Sequence, residues 1–228
     1  MPHGPKFSYL PDFEGRTALY HSLDTFKDPG FEIRVLTVWP NEDFLAHPEC
    51  AMRMGAITKE SRTVYDALSY YWGSVNDLEN VIVHGSDEGN PMPSCEVPVT
   101  KNLTFALRHL HQKANTAGQS LEMWTDALCI HQRDAKERSY QVRIMDLIFQ
   151  ASRRVCVWLS DGTSDVLARK RFQDFAALCN GFDSGSYNDN EEQGRAQVAK
   201  LATDLHRDVS DLLGTVHAIM DLPYWRRG

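Results

Sequence analysis

LEMWTDALCI, residues 121–130, is an apolar stretch that predicts a strand, and a helical pattern over residues 136–152 and the short apolar strand RVCVWL, residues 154–159, follow it. In the helical segment, apolar side chains recur on one face at the spacing of an α-helix. They are Val142, Met145, Ile148 and Phe149. Strand, helix and strand in this order are typical of a parallel sheet with crossover helices. The stretch therefore predicts an α/β fold with a mostly parallel sheet and helices on both faces.

The residues before this stretch add further strands. Residues 33–39 are rich in β-branched side chains, and residues 64–71 show a second strand pattern that Gly73 ends. Two apolar runs within residues 80–99 flank a polar stretch, which predicts an inserted β-hairpin. Residues 41–62 fit no single pattern.

A helix is expected after the hairpin, with Thr100 as its N-cap and Gly118 at its end. We expect the core to include one apolar residue or more from each central element, so that burial on one side of the sheet and of the helices holds the fold together. The residues expected to be buried are Leu68, Leu107, Leu128, Met145, Ile148 and Val157.

The two ends of the chain differ in pattern from its middle. Residues 1–30 mix Pro, Gly and aromatic residues without a period and are interpreted as a lead-in, so the domain is expected to span residues 31–228. Residues 164–180 and 196–220 predict helices, and the second of these is long and amphipathic. Between them, residues 183–195 are polar and acidic, and we expect a solvated, mobile loop there.

The composition narrows the classes of protein. The chain has 228 residues, 42% of them hydrophobic and 24% charged, and a net charge of −7. These values are ordinary for a globular domain, and the negative charge argues against a nucleic-acid partner. Five scattered cysteines without a CxxC pair fit a reducing compartment. With no secretory signal and no apolar run of membrane-spanning length, we expect no membrane span and a cytoplasmic location.

Common catalytic motifs are absent from the sequence. There is no GxGxxG, GxxxxGK[ST], HExxH or GxSxG. His109 and His111 lie two apart on a helix and point in different directions, so they are poor joint metal ligands. Cys129 and His131 resemble a nucleophile with its base, but a buried inert thiol is the favoured interpretation. We therefore expect no metal and no bound cofactor.

The first unusual cluster is YDALSYYWG, residues 65–73, in which aromatic residues crowd the end of a strand before a glycine. The simplest interpretation is that the rings pack into the core. Three consecutive aromatic residues cannot all face one side, however, and ligands bind outside the carboxyl ends of parallel strands. Ser69, Tyr70, Trp72 and Gly73 are accordingly candidate binding residues.

The second and third clusters are WTDALCIHQ, residues 124–132, and DAKERSYQV, residues 134–142. Asp126 interrupts an apolar run, so its charge must be paired or lie at the mouth of the strand. At 100° per residue, three polar residues of the following helix lean inward, near the carboxyl end of that strand. The alternative is a capping box, with Asp134 as N-cap and Glu137 at N3. The candidates here are Asp126, Gln132, Glu137, Arg138 and Gln141, with Arg138 as the expected ion-pair partner of a solvent-accessible Glu137.

At these clusters the sequence resembles the heterokaryon-incompatibility (HET) domain of filamentous fungi. The matching blocks occur in family order and are YDALSYYWG (65–73), TKNLTFALRHL (100–110), MWTDALCIHQRDAKERSYQVRIMDLIFQAS (123–152), RVCVWLS (154–160) and LPYW (222–225). His131 replaces the usual Asn of the family, and Thr125 replaces an apolar residue. The family pattern continues beyond Gly228, so the resemblance implies that the domain is truncated at its C-terminus relative to the family.

The resemblance implies a role in cell death. HET domains act as effectors when genetically different fungal cells fuse, often together with nucleotide-binding sensor domains, and self-association is expected. They are also similar to Toll/interleukin-receptor (TIR) domains, which have a flavodoxin-like fold and some of which cleave the nicotinamide–ribose bond of NAD. By that comparison Glu137 matches the catalytic carboxylate and NAD is a substrate. The alternative is a non-catalytic signalling module that acts through protein partners.

Overall fold

The computed structural model describes residues 19–20, 23, 30–58, 63–87 and 90–159. The chain divides into two compact units, Met1–Trp158 and Leu159–Gly228. The helices expected at 164–180 and 196–220 and the loop expected at 183–195 lie outside the described residues, as does most of the N-terminal lead-in. All the helices and strands given below belong to the first unit.

Seven strands form one sheet in the order β5-β4-β2-β1-β6-β3-β7. Antiparallel pairs link β1 to β2, β1 to β6 and β4 to β5, whereas β2–β4, β3–β6 and β3–β7 are parallel. The strands are β1 (Gly30–Val38), β2 (Glu49–Thr58), β3 (Asp66–Tyr70), β4 (Leu78–Asp87), β5 (Asn90–Thr100), β6 (Leu121–Trp124) and β7 (Val155–Trp158).

The α/β class is confirmed, but the expectation of a mostly parallel sheet is wrong, because the sheet is mixed. Consecutive strands without a crossover helix between them pair antiparallel, and both β1–β2 and β4–β5 are of this kind. The hairpin expected within residues 80–99 is confirmed as β4 and β5. Strand β2 falls in the segment that showed no clear pattern, since its Ala, Met and Gly residues have weak strand propensity.

Four helices accompany the sheet in the described part of the chain. They are α1 (Lys101–Ala117), α2 (Asp126–Cys129), α3 (Ala135–Arg143) and α4 (Met145–Ala151). Helix α1 follows Thr100 and ends at Gly118, as expected. Gly118 has φ of +64°, a left-handed conformation that glycine adopts without the steric cost of a Cβ atom.

Two elements are shorter than the sequence predicts. The strand expected over residues 121–130 ends at Trp124, and the next residues turn into α2, where the Cys129 N–H donates to the Thr125 carbonyl at 2.8 Å. An apolar run cannot by periodicity alone be assigned to a strand or to a buried helical turn. The single helix expected over residues 136–152 is interrupted at Ile144, whose ψ is 10°.

The core confirms most of the expected residues. Leu68, Leu107, Leu128 and Ile148 are buried, and Met145 is partly buried against them. Val157 was expected in the core and is 48% exposed. In the described part of the sheet β7 is an edge strand, and its burial alternates along the strand, with Val155 and Val157 on the more exposed face.

The parallel arrangement of β3, β6 and β7 brings their carboxyl ends to one edge of the sheet. Leu36 of β1 pairs with Met123 of β6 in antiparallel register, so Arg34 lies level with Thr125, just past the carboxyl end of β6. This edge carries the polar side chains described next.

In the described part of the chain, no helix is both long and apolar enough to span a membrane.

Candidate functional site

Helix α3 begins with a cap that its sequence predicts. The Asp134 carboxylate accepts the N–H groups of Lys136 at 2.8 Å and of Glu137 at 3.0 Å. The bond from the Glu137 N–H, above all, lowers the pKa of Asp134 despite some desolvation. Asp134 is therefore the N-cap, but its own N–H donates to the His131 carbonyl at 3.0 Å. The Glu137 side chain is used elsewhere, so the reciprocal half of a capping box is not formed.

Glu137 forms a buried, bidentate ion pair with Arg34 of β1. Nη1 lies 2.6 Å from Oε1 and Nη2 lies 3.0 Å from Oε2, with the two side chains only 1% and 7% exposed. The His131 N–H also donates to Oε1 at 2.7 Å, and Arg34 Nη1 donates to the Cys129 carbonyl at 3.2 Å. The expectation of a solvent-accessible Glu137 is wrong, because its side chain is buried, and the arginine that binds both carboxylate oxygens is Arg34 of β1 rather than the expected Arg138.

Arg138 and Gln132 instead fix the segment between α2 and α3. Arg138 Nη1 donates to the Gln132 carbonyl, and Gln132 Nε2 donates to the Asp126 carbonyl at 2.6 Å. Gln141 is buried and donates to the carbonyl of Glu32 in β1 at 3.2 Å. On the helix, Glu137 and Gln141 are buried and Arg138 is half-buried, so the three residues lean inward as the helical phase predicts.

Asp126 and Trp72 meet at the carboxyl ends of β3 and β6. Trp72 Nε1 donates to Asp126 Oδ2 at 2.9 Å, so the charge that interrupts the apolar run does have a hydrogen-bond partner at the mouth of the strand. Tyr70 is buried, Ser69 is half-buried, and Tyr71 is the exposed ring of the three consecutive aromatic residues. Tyr70 thus follows the simpler core interpretation, while the neighbouring ring faces solvent.

Asn102, in the first turn of α1, links the ends of β3 and β7. Its Nδ2 donates to the Tyr71 carbonyl, and its Oδ1 accepts Trp158 Nε1 at 2.9 Å. Gly73 lies beside it with φ of +84°, and a Cβ atom added there would come 3.4 Å from the Asn102 Cβ. The positive φ therefore favours glycine at position 73, where the chain turns after β3. Sequence reasoning named Gly73 but missed Asn102 and Trp158.

Tyr20 is a further residue that the sequence did not single out. Its ring stacks on the His131 imidazole, with centroids 4.7 Å apart and an interplanar angle of 8°. The Arg34 guanidinium lies 4.9 Å from the ring centroid, and the Tyr20 hydroxyl donates to the Leu128 carbonyl at 2.9 Å. Desolvation raises the pKa of this phenol, with Arg34 opposing the effect. Tyr20 therefore belongs to the same cluster as the ion pair.

One signal for Arg34 was present in the sequence. It interrupts the apolar run of β1 in the same way that Asp126 interrupts the run 121–130. A buried charge in a strand needs a partner of opposite charge, and two such interruptions in predicted strands of one sheet indicate that charged groups meet near it. No comparable pattern marks Tyr20.

A metal ion has one group of potential ligands in the described residues. Ligand atoms of His131, Asp134 and Glu137 all lie within 4.8 Å of one another. The Arg34 guanidinium, however, already binds both Glu137 oxygens, and Asp134 accepts two N–H groups at the helix start. A cation would have to compete with a buried positive charge, so the arrangement favours a hydrogen-bonded network over a metal centre.

The fold and the site define an α/β domain with charged groups at one edge of a mixed sheet, and comparison with known proteins places it in a family. The family model of the heterokaryon incompatibility protein (HET) matches residues 65–228, which is more than half of the chain. The chain therefore belongs to the HET family. The resemblance stated from the sequence blocks is confirmed on this point.

A curated relative gives the same result. The chain is 30% identical over 152 residues to heterokaryon incompatibility protein 6, OR allele, of Neurospora crassa. The match covers 66% of this chain and 22% of that protein, so the chain spans about a fifth of its relative's length. No solved structure matches the chain.

The family match divides the site in an informative way. It begins at Tyr65, so Glu137, His131, Asp126 and Trp72 lie inside it. Arg34 and Tyr20 lie before it, although β1 and β2 are part of the same sheet as the matched strands. The part of the chain that precedes the match therefore contributes directly to the cluster around Glu137.

Proposed function

We propose that this chain is a cell-death effector domain of heterokaryon incompatibility and that it acts by hydrolysing NAD at the nicotinamide–ribose bond. The family assignment supports the first half of the proposal. The second half is supported by one observation above others, which is that charged and aromatic side chains gather at the carboxyl ends of β3 and β6. This is where α/β sheets bind their ligands.

The proposed chemistry needs little from the protein beyond placement and electrostatics. The C1′–N bond breaks, its electron pair leaves on the nicotinamide nitrogen, and the ribose becomes an oxocarbenium ion. Water then adds to C1′ and releases a proton to solvent, which gives ADP-ribose. A carboxylate near C1′ stabilises the positive charge of this intermediate, and Glu137 is the proposed group, with Asp126 and Trp72 holding the substrate.

The ion pair with Arg34 limits what Glu137 contributes in the structure described here. A carboxylate with both oxygens bound to a guanidinium is electrostatically balanced, so it stabilises a second positive charge weakly. For NAD cleavage, at least one of the two bonds at 2.6 and 3.0 Å has to be exchanged for a contact with the substrate. The proposal therefore includes a change in this pair when the domain becomes active, for which self-association and a nucleotide-binding sensor partner are the proposed triggers.

The same observation favours a second candidate function. If the Arg34–Glu137 pair is never exchanged, the pair is structural and the domain is a TIR-like signalling module that kills through protein partners. In that case the flavodoxin-like relationship to TIR domains concerns the assembly surface alone. The two candidates differ in one measurable product, which is free nicotinamide.

The experiment is to incubate the purified chain at high concentration with NAD and to quantify nicotinamide and ADP-ribose. Glu137→Gln keeps the shape of the side chain and removes its charge, which also leaves Arg34 buried without its counter-charge, so the variant is assayed at a temperature at which unfolding measurements show it to be folded. Asp126→Asn removes the other candidate carboxylate of the site. If wild type releases nicotinamide and Glu137→Gln loses at least about 100-fold in rate with a circular dichroism spectrum like that of wild type, the enzymatic proposal holds.

Arg143→Gln is the matched control, because Arg143 is an exposed arginine in the last turn of α3, outside the candidate site, and its removal leaves the Glu137 charge in place. Its rate is expected to stay within a few-fold of wild type. Cell killing that persists at wild-type level in Glu137→Gln, together with no nicotinamide release by wild type, would establish the non-catalytic alternative instead.

A further inference from the structure

The stack around Tyr20 has the features of a binding site for a flat ring. The ring lies parallel to the His131 imidazole at 4.7 Å and close to the Arg34 guanidinium at 4.9 Å. At its edge, the hydroxyl reaches the backbone carbonyl of Leu128 at 2.9 Å. The protein thus offers two planar groups for stacking and one fixed acceptor for an edge donor.

The contributions of the chain to this stack come from two sources. His131 and Leu128 lie within the residues that the HET family model matches, whereas the Tyr20 ring comes from the chain before that match. Tyr20 is half-buried and packs against the core. Its ring fills a position between planar groups, which becomes available to another aromatic ring when the Tyr20 side chain is displaced.

The chemistry of the surrounding groups selects the ring. An acceptor at the edge requires an N–H or O–H donor on the ring or on a group attached to it. The nearby guanidinium stacks well on neutral aromatic faces and repels a cationic ring. A neutral purine with an exocyclic amino group meets both conditions, whereas the positively charged nicotinamide ring of NAD fails the second.

We propose that the His131–Arg34–Leu128 cluster is an adenine-binding site of this domain and that Tyr20 occupies it in the unliganded chain. This inference rests on the proposed function, since it assigns the adenine end of the nucleotide to this position. Tyr20 and the nucleotide compete for the same place, so the domain holds its own inhibitor. Glu137 lies next to the site through its bonds to Arg34 and His131.

The test compares Tyr20→Ala, which empties the ring position, with Tyr20→Phe, which keeps a ring there. AMP binding to each purified variant of the chain is measured by calorimetry. We expect Tyr20→Ala to bind AMP at least about tenfold more tightly than Tyr20→Phe, because in the latter the competent state is a minor fraction. Adding His131→Ala to Tyr20→Ala removes the stacking partner and should weaken AMP binding again.

Two further ligands test the charge of the ring that binds and whether the position is open. Nicotinamide mononucleotide has the same phosphate and ribose but a cationic ring, and it should bind Tyr20→Ala at least about tenfold more weakly than AMP does. p-Cresol, which matches the deleted side chain, shows whether the position is open, through a rise in melting temperature. Tyr20→Leu is made in parallel and judged by the same measurements, so that a folding defect in one variant does not remove the test.

The inference is overturned if p-cresol stabilises the folded variant and AMP does not bind, or if AMP binds Tyr20→Ala and Tyr20→Phe equally. It is also overturned if nicotinamide mononucleotide binds as tightly as AMP. AMP has no nicotinamide bond, so its binding is independent of NAD cleavage. Tight AMP binding without nicotinamide release would leave the adenine site standing and remove the enzymatic proposal.

Discussion

Glu137 and Asp66 are two buried carboxylates that the protein neutralises in different ways. Glu137 faces one arginine, Arg34, which is itself 1% exposed. Asp66 is 1% exposed but binds two arginines, Arg153 at 2.9 Å and Arg154 at 2.7 Å, whose side chains are 54% and 50% exposed. The first pair is enclosed by protein on both sides, whereas the second joins a buried anion to cations in solvent.

The desolvation cost is larger for the Arg34–Glu137 pair than for Asp66. Burying both members of an ion pair removes two hydration shells, and the attraction offsets this only if the remaining donors and acceptors are also satisfied. The Cys129 carbonyl and the His131 N–H supply such contacts to the Arg34–Glu137 pair. At Asp66 only one partner loses its water. The costlier pair lies at the sheet edge where we propose the site.

Removing one member of the enclosed pair is expected to have the largest effect on stability. Arg34→Met leaves the Glu137 carboxylate buried without its counter-charge, and we expect the free energy of unfolding to fall by about 3–5 kcal/mol. Urea unfolding monitored by circular dichroism measures it. Arg53→Met is the matched control, because Arg53 pairs with Glu122 in a partly exposed bridge, with side chains 38% and 30% exposed, and such bridges contribute about 0–1 kcal/mol.

A double variant shows whether the fold needs both charges or only requires that neither charge is left without its partner. Arg34→Met/Glu137→Met replaces both charges with apolar groups of similar length, and we expect it to regain most of the stability that Arg34→Met loses. Equal stability of Arg34→Met and wild type would contradict the buried pair itself. A double variant as unstable as the single one would show that the charges are needed for the fold.

The contribution of Asp66 to stability is expected to depend on pH. Burial alone raises the pKa of Asp66, but hydrogen bonds from Arg153 and Arg154 outweigh it, so the pKa lies below its usual value. The unfolded chain therefore takes up this proton first on acidification. The stabilising contribution is complete above pH of about 4 and is lost as the pH falls further.

We expect Asp66→Asn to be about 1–3 kcal/mol less stable than wild type at pH 7, because its bonds to charged donors are lost. The gap should narrow as the pH is lowered from 5 towards 3. Urea midpoints measured for both proteins across this range test the sign. A gap that stays constant would show that the Asp66 proton is held equally in the folded and unfolded chains. Replacing Arg153 or Arg154 alone should have a smaller effect than replacing both.

Much of the fold was predictable because its central elements have strong periodicity. Leu107 on α1 and Ile148 on α4 were placed in the core from spacing alone, and both are buried. The direction of β1 and the existence of β2 were not predictable in this way, since strand pairing depends on contacts between distant residues. The apolar run 121–130 shows the limit most clearly, because a strand and a helical turn both bury such residues.

The sequence predicted which residues lie near the candidate site, but it did not predict the main contact between them, the ion pair of Glu137 with Arg34. Asp126, Gln132, Arg138 and Glu137 do lie in one neighbourhood, where helical phase and the strand end predicted them. The partner of Glu137 comes from a strand more than a hundred residues earlier, and no local pattern joins Arg34 to position 137. Long-range pairing of this kind is visible in the structure and not in sequence spacing.

The smallest expected effect concerns Thr125, which has a buried hydroxyl without a hydrogen-bond partner. Its side chain is 1% exposed, and its Oγ1 has no hydrogen-bond partner in the structure although the residue is the N-cap of α2. By the resemblance to the HET family, Thr125 replaces an apolar residue. A buried hydroxyl without a partner costs about 1–3 kcal/mol, so Thr125→Val, which keeps the shape, is expected to stabilise the protein by about 1 kcal/mol.

In a chain of this size, that gain corresponds to a rise in melting temperature of about 2–4 °C, which calorimetry resolves. Thr37→Val is the matched exchange with the opposite sign, because the Thr37 hydroxyl donates to Glu122 Oε1 at 2.8 Å and the variant loses that bond. A loss of stability in Thr125→Val would indicate that a buried water satisfies the hydroxyl. A gain would show that at this sheet edge the chain tolerates a buried hydroxyl without a hydrogen-bond partner close to a buried ion pair, and that stability alone does not determine the residues found there.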